Sequence, residues 1–330
     1  MRKDEILKIV RNPQNANGTV LSFPDRGPFG NNRYRGNCSG YIHAFLIDQY
    51  NVKYMGEMYA GGGTGYDVCK DMGINYVGAD LNPNPVRPNV YVCNALTDEI
   101  PEEFSDVDFV FQHMPYPEIG IKYAGSEYAD PTKELAKQDI GQMSFQAGML
   151  ANNKVTMKLY NAMHPGAKMG ILCGNVRRKG QYHDMMLSLA LPGNIIQNIV
   201  KMQHNCVSDG RVYSKKNFVP ITHENLVILQ KPFEHSLYVG YLIPVNQGMD
   251  IRDSLSATWR DVVRAVMYEI GGQIHYQRIV ESIKGHKKAK NNNNVEAKIR
   301  QVLRMYEKTF EACGNGVYKL REPNSLVAIA

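Results

Sequence analysis

Short apolar runs alternate with segments of helical spacing through most of this 330-residue chain. The runs that read as strands are Lys53 to Tyr59, Asn75 to Asp80, Val90 to Cys93, Asp108 to Gln112, Lys168 to Cys173 and Ile195 to Gln203. A hairpin arm near Glu224 to Leu229 closes the series, with a further strand expected at Leu237 to Ile243. From Tyr41 to Tyr50, YIHAFLIDQY repeats its apolar positions at the helical period. Residues 1 to 35, rich in Asn, Pro, Gly and Arg, read as a short helix followed by an irregular arm. Such alternation predicts an α/β doubly wound sheet with helices on both faces, and ligands in these sheets sit at the carboxyl ends of the strands.

The rhythm changes near residue 245. NQGMDIRDSLSA lacks an apolar period, so the expected domains are 1–245, a linker 246–257 and a smaller unit 258–330. In that unit TWRDVVRAVMYEIGG places Val262, Val263, Val266, Met267 and Ile270 on one helical face, ended by Gly271 and Gly272. IHYQRIVESIKG predicts a second helix, and VEAKIRQVLRMYEKTF a third with Val295, Ile299, Val302, Leu303 and Tyr306 inward. FEACGNGVYKL then turns as a hairpin at Gly314, Asn315 and Gly316. Three helices and a hairpin resemble a winged helix-turn-helix. Between helices two and three, KGHKKAKNNNN predicts a flexible basic loop. On that reading Lys287, Lys288 and Lys290 reach DNA phosphates, and the third helix, carrying Lys298, Arg300 and Arg304, reads a major groove.

Composition excludes some classes. Hydrophobic residues at 43% and charged residues at 21% are ordinary for a globular protein. No apolar run approaches the roughly 20 residues that cross a bilayer, and MRKDEILKIVRN has no signal-peptide stretch, so a cytoplasmic protein without membrane contact is expected. The six cysteines are scattered without a CxxC pair and read as reduced thiols and small core residues. The nine histidines lack metal-ligand spacing, and neither a G-x-S-x-G nor a Cys/His arrangement suggests a nucleophile. The net charge of +6 is modest.

The chemistry concentrates in two stretches. YMGEMYAGGGTGYDVC joins a strand to a helix through consecutive glycines, which let the backbone pass close to a ligand at a helix N-terminus. The next strand ends in Asp80, where a carboxylate can take both ribose hydroxyls, so a ligand containing a nucleoside is expected, and a dinucleotide fits equally well at this level. The spacing is not that of a phosphate-cradling nucleotide loop, because Lys70 comes too late. The second stretch is DFVFQHMPYPEI, an apolar strand running into His113, Met114, Pro115 and Tyr116.

In order, GNCSGYIHAFLIDQY, EMYAGGGTGYDVC, GADLN and FQHMPY resemble the amino-methyltransferases of DNA adenine N6 or cytosine N4, over roughly residues 20 to 230. QHNCVSDGRVYSKKNFVPITHENLVILQK resembles the final hairpin of a subgroup whose base motif is HPPY. The resemblance implies a Rossmann-like methyltransferase sheet and S-adenosylmethionine as cofactor. It places Asn37, Ser39 and Gly40 beside the methionine moiety, Glu57, Ala60, Gly61 and Gly63 around its centre, Asp80 on the ribose and Asn94 at the adenine ring. His113, Met114, Pro115 and Tyr116 would receive the target base: acceptors aimed at the amine hydrogens help it pyramidalise, and Tyr116 stacks on the flipped base. His113 and Met114 depart from the family pattern. A neutral His113 could accept one hydrogen bond, so activity is expected to fall below about pH 6. Tyr116 rather than Trp favours adenine. The implied partner is double-stranded DNA, with a restriction nuclease or other defence partner and a homodimer as candidate associations. Alternatives from the same motifs are an RNA or protein-glutamine methyltransferase, or a DNA-binding protein with a vestigial pocket.

Overall fold

Phe109, Val110 and Phe111 leave one strand on alternate sides, and each side meets its own core: both phenylalanines enter one apolar cluster and Val110 the other. The period of two in a pleated strand separates them. Neighbouring strands repeat it, with Leu226 and Ile228 on the first face and Val227 and Leu229 on the second. Each such side chain, fully withdrawn from water, contributes about 1.5–3 kcal/mol.

The computed structural model describes residues 1–32, 34, 36–118, 134–178, 181–205, 219–233, 250–255 and 257–321. The helices are α1 (Lys3–Val10), α2 (Gly40–Tyr50), α3 (Thr64–Met72), α4 (Phe145–Ala162), α5 (Trp259–Ile270), α6 (Tyr276–Ile283), α7 (Lys287–Lys290) and α8 (Val295–Met305). The strands are β1 (Ala16–Asn17), β2 (Val20–Leu21), β3 (Tyr54–Met58), β4 (Asn75–Asp80), β5 (Val90–Val92), β6 (Phe109–His113), β7 (Lys168–Cys173), β8 (Val176–Arg178), β9 (Gln181–His183), β10 (Asn194–Met202), β11 (His223–Gln230), β12 (Gln273–His275), β13 (Phe310–Gly314) and β14 (Val317–Leu320). The chain divides into two compact units, Met1–Pro244 and Val245–Ala330. The strand expected at Leu237 to Ile243 lies outside the described residues.

The larger unit holds a nine-stranded sheet in the order β1-β2-β10-β11-β7-β6-β3-β4-β5. From β5 to β7 the neighbours are parallel, and β11 and β10 return antiparallel. This is the mixed α/β, mostly parallel sheet that the apolar rhythm predicts. Side chains of α1, α2 and α3 cover one face and those of α4 the other. After β3 the chain steps outward to β4 and β5, then returns to lay β6 on the far side of β3. The reversal leaves a crevice at the carboxyl ends of β3 and β6.

Part of the arm expected to be irregular is ordered into the sheet: β2 pairs in parallel with β10, Val20 opposite Val200 and Leu21 opposite Lys201. In the smaller unit, Val262, Val263, Val266, Met267, Ile299, Val302 and Leu303 are buried on the faces their spacing predicts. Strand β12, not foreseen, extends the hairpin into a sheet of order β12-β14-β13. The segment read as a flexible basic loop also differs. It contains α7, anchored by buried Ala289, and Lys288 Nζ donates to the carbonyls of Leu255, at 3.0 Å, and Ala257. No helix among the described residues is long and apolar enough to cross a membrane.

Candidate functional site

The glycine turn and the acid at the end of β4 are tied together. The Gly61 N-H donates to Asp80 Oδ2 at 2.7 Å, and the Asn82 N-H donates to Oδ1 at 2.8 Å, so one buried carboxylate shapes both loops. Tyr59, at the head of the turn, stands at φ 64, a left-handed conformation that strains a bulky residue. The N-terminal arm packs on the glycines. A β carbon at Gly61 would lie 2.9 Å from the Tyr34 ring, and one at Gly62 would lie 2.5 Å from Asn37 Nδ2, so only glycine admits the arm.

Between this loop and the end of β6 opens a cavity of about 860 Å³, its mouth included. Of the residues singled out from the sequence, Asn37, Glu57, Ala60, Gly61, Asp80, Asn94, His113, Met114 and Pro115 line it. Met58, Leu81, Ala95, Leu96 and Ile140 give it apolar wall. Asn94 Nδ2 donates to Gln138 Oε1 at 2.7 Å at its rim.

Four of the expected residues have other surroundings. Ser39 caps α2, its Oγ accepting from the Tyr41 N-H at 3.3 Å. Gly40 admits the Phe29 ring, which a β carbon would approach to 2.4 Å, and Gly63 caps α3 at φ 76. Tyr116 is not among the lining side chains; its hydroxyl donates to Glu224 Oε1 at 2.5 Å. Glu57, although on the wall, has both oxygens occupied: Oε1 accepts from His43 Nε2 and Oε2 from the Tyr76 hydroxyl, each at 2.7 Å.

Those contacts belong to a chain of ionisable groups beneath the cavity. Glu57 is followed by His43, Cys38, His113, Glu224 and Lys201, with charges alternating in sign. Burial would lower His43, but Glu57 and Cys38 outweigh it and raise its pKa to about 10. Burial would raise the Cys38 thiol, but His43 and His113 beside it bring it down to about 6. His113 is held up to about 9 against burial by Cys38 and Glu224, whose Oε1 lies 3.8 Å from His113 Nε2. Glu224 falls well below the ordinary carboxylate range, because His113 and Lys201 overcome its burial; Lys201 Nζ donates to Oε2 at 2.5 Å. The direction of that shift favours the charged ring of His113, which only donates, over the neutral acceptor expected from the sequence.

Glu224 reaches His113 and Tyr116 across the end of β7 because Gly174 stands there. A β carbon at Gly174 would lie 2.9 Å from Glu224 Cγ and 3.1 Å from the Tyr116 hydroxyl. Cys38, His43, Tyr76, Lys201 and Glu224 were not singled out from the sequence as functional. The nearest signal was that Cys38 and His43 lie within GNCSGYIHAFLIDQY, the quoted stretch before the sheet.

No protein-family model matches the sequence, and no curated protein sequence matches it. Several solved structures are similar to part of it. A protein studied for the conversion of a disulfide bond into a thioacetal group during echinomycin biosynthesis is 12% identical, with TM-score 0.36, over 58% of this chain and 82% of that one. TrmN from Thermus thermophilus is 12% identical, with TM-score 0.35, over 60% of this chain and 50% of that one. A SAM-dependent methyltransferase from Archaeoglobus fulgidus is 12% identical, with TM-score 0.32, over 58% of this chain and 93% of that one.

Proposed function

We propose that this chain is an S-adenosylmethionine-dependent methyltransferase acting on the exocyclic amine of a base flipped out of double-stranded DNA, adenine N6 in preference to cytosine N4. One observation carries the reading: the glycine turn bound to Asp80 and the segment His113 to Pro115 face the same cavity at the carboxyl ends of adjacent parallel strands. The donor set suits a nucleoside. Asp80 offers carboxylate oxygen to ribose hydroxyls, Ala60 and Gly61 let a ligand approach the backbone, Asn37 faces the methionine end, and Asn94 lies beside apolar wall fit for an adenine ring. When bound, S-adenosylmethionine supplies a methyl group activated by its sulfonium.

The protein's part is placement. Pro115 is fixed by Asn152, whose Nδ2 donates to its carbonyl at 2.9 Å, so the Met114 carbonyl is the backbone acceptor offered to the target amine. His113 bridges Cys38 and Glu224 and acts as a positioning residue. Tyr116, pinned through its hydroxyl, offers a ring of fixed orientation for stacking. In the smaller unit, the helices and three-stranded sheet serve as a winged-helix-like DNA contact, with exposed Lys287, Lys290, Arg300 and Arg304 and half-buried Lys298 toward phosphates and groove. Such an enzyme suits a restriction-modification setting with a nuclease or other defence partner.

The test is incubation with methyl-labelled cofactor and DNA, RNA or protein, followed by digestion and identification of the product. N6-methyladenine in DNA is expected. Label confined to RNA or to protein glutamine overturns the substrate, and cofactor binding without transfer overturns the enzyme.

A further inference from the structure

We infer that Asn152 is a positioning residue that couples the two halves of the cavity, tying the glycine turn to the loop after β6 through one buried amide. The two ends of that amide are used on opposite sides. Nδ2 donates to the Pro115 carbonyl at 2.9 Å, and Oδ1 accepts from the Tyr59 hydroxyl at 3.4 Å. Tyr59 heads the turn and Pro115 lies in the loop; both line the cavity, whereas Asn152 does not. Asn152 is 0% exposed, so water cannot replace either partner when a bond is lost.

Tyr59 stands at φ 64, a conformation that a bulky residue keeps only where its surroundings hold it. Its N-H donates to the Ala79 carbonyl at 2.9 Å, and the Gln112 side chain hydrogen-bonds the same hydroxyl that Asn152 accepts from. One turn along α4, Thr156 Oγ1 lies 3.0 Å from the Asn152 carbonyl oxygen and 3.1 Å from Gln112 Oε1, so one face of the helix meets the end of β6 twice. A ligand that moves the Tyr59 ring therefore strains contacts to both the strand end and the loop, and a ligand at the loop acts back on the turn by the same amount. The inference rests on the proposed reading of the cavity, with S-adenosylmethionine at the turn and the target amine at the Met114 carbonyl. Asn152 touches neither of them; it holds that carbonyl in register with a filled turn.

The test follows hydrogen exchange of the full chain with and without saturating S-adenosylmethionine, in the unsubstituted protein, Tyr59→Phe, Asn152→Ala and the double variant. In the unsubstituted protein the cofactor should slow exchange of the Met114, Tyr116 and Glu118 amides by at least about fivefold. Tyr59→Phe keeps the ring and removes only the hydroxyl. It should reduce that slowing to less than about twofold, with protection of the glycine turn retained and cofactor affinity by calorimetry changed by less than about threefold. The double variant should lose no more loop protection than Asn152→Ala alone, because both changes cut one bridge. In methyl transfer, Tyr59→Phe should lower kcat about tenfold with the KM for S-adenosylmethionine nearly unchanged. Loop protection that survives in Tyr59→Phe would come from direct contact with the ligand and overturns the inference. Cofactor binding that leaves the loop amides of the unsubstituted protein unprotected also overturns the inference while sparing the reading of the cavity. Failure of the unsubstituted protein to bind S-adenosylmethionine overturns both.

Discussion

Tyr116 and Glu224, 108 residues apart in sequence, share a 2.5 Å hydrogen bond in which the phenol donates to Oε1. The bond joins the loop after β6 to β11 and gives the proposed stacking residue a second, structural duty. Tyr116→Phe should keep the ring and lose the bond, leaving a buried carboxylate with one partner fewer at a cost of about 1–3 kcal/mol. Urea unfolding measures that loss. Tyr116→Ala removes the ring as well and should lower methyl transfer about tenfold beyond the phenylalanine variant; equal activities in the two variants would show that the ring does not stack.

His113 keeps its proton far above the pH at which a free imidazole loses it. Its pKa rises from 6.5 to about 9, so its contribution to stability is fully present below 6.5, declines above it and is gone once pH passes about 9. The melting temperature of the unsubstituted protein should therefore exceed that of His113→Gln most at neutral pH and below, with the gap closing toward pH 9. Transfer activity should show no loss from His113 near pH 6 and should decline as pH rises through about 9, a limb absent from the glutamine variant.

Asp80 holds the glycine turn through the Gly61 N-H and is the proposed ribose acceptor. Asp80→Ala should weaken S-adenosylmethionine binding by at least about tenfold, because both the ligand contact and the shape of the turn are lost. Calorimetric titration decides, and unchanged affinity would move the nucleoside elsewhere.

Lys288 must be separated from its neighbours in the smaller unit, since its ammonium is bound to the Leu255 and Ala257 carbonyls. Changing Lys287, Lys290 and Arg304 together to Ala should weaken DNA binding and reduce the slope of log affinity against log salt by up to about 3. Lys288→Ala should instead lower the unit's thermal stability and leave that slope unchanged. An unaltered slope in the triple variant would remove these residues from the DNA contact.

Strand β4 was legible to the residue, because a buried parallel strand is a continuous apolar run with a polar end. That the glycine turn and Asp80 belong to one site was legible for a related reason, since one helix joins them and their spacing is local, whereas the bond from the Gly61 N-H to Asp80 was not foreseen. The two-residue strand β2 was not, because Val20 and Leu21 sit among polar residues and become a strand only through pairing with β10. The Cys38–His113–Glu224 contacts were hidden in the same way. Their members lie on a loop, on β6 and on β11, and only the strand order, with the gap at Gly174, brings them together.

The alternation of charge from Glu57 to Lys201 makes substitution effects in this row non-additive. Removing Glu224 alone takes from Lys201 and His113 the carboxylate they share and should cost about 3–5 kcal/mol, whereas removing Glu224 and Lys201 together should cost less than the sum of the single changes. Six side chains on separate elements are thereby tied into one row, and tolerance at any of them should depend on which partner changes with it.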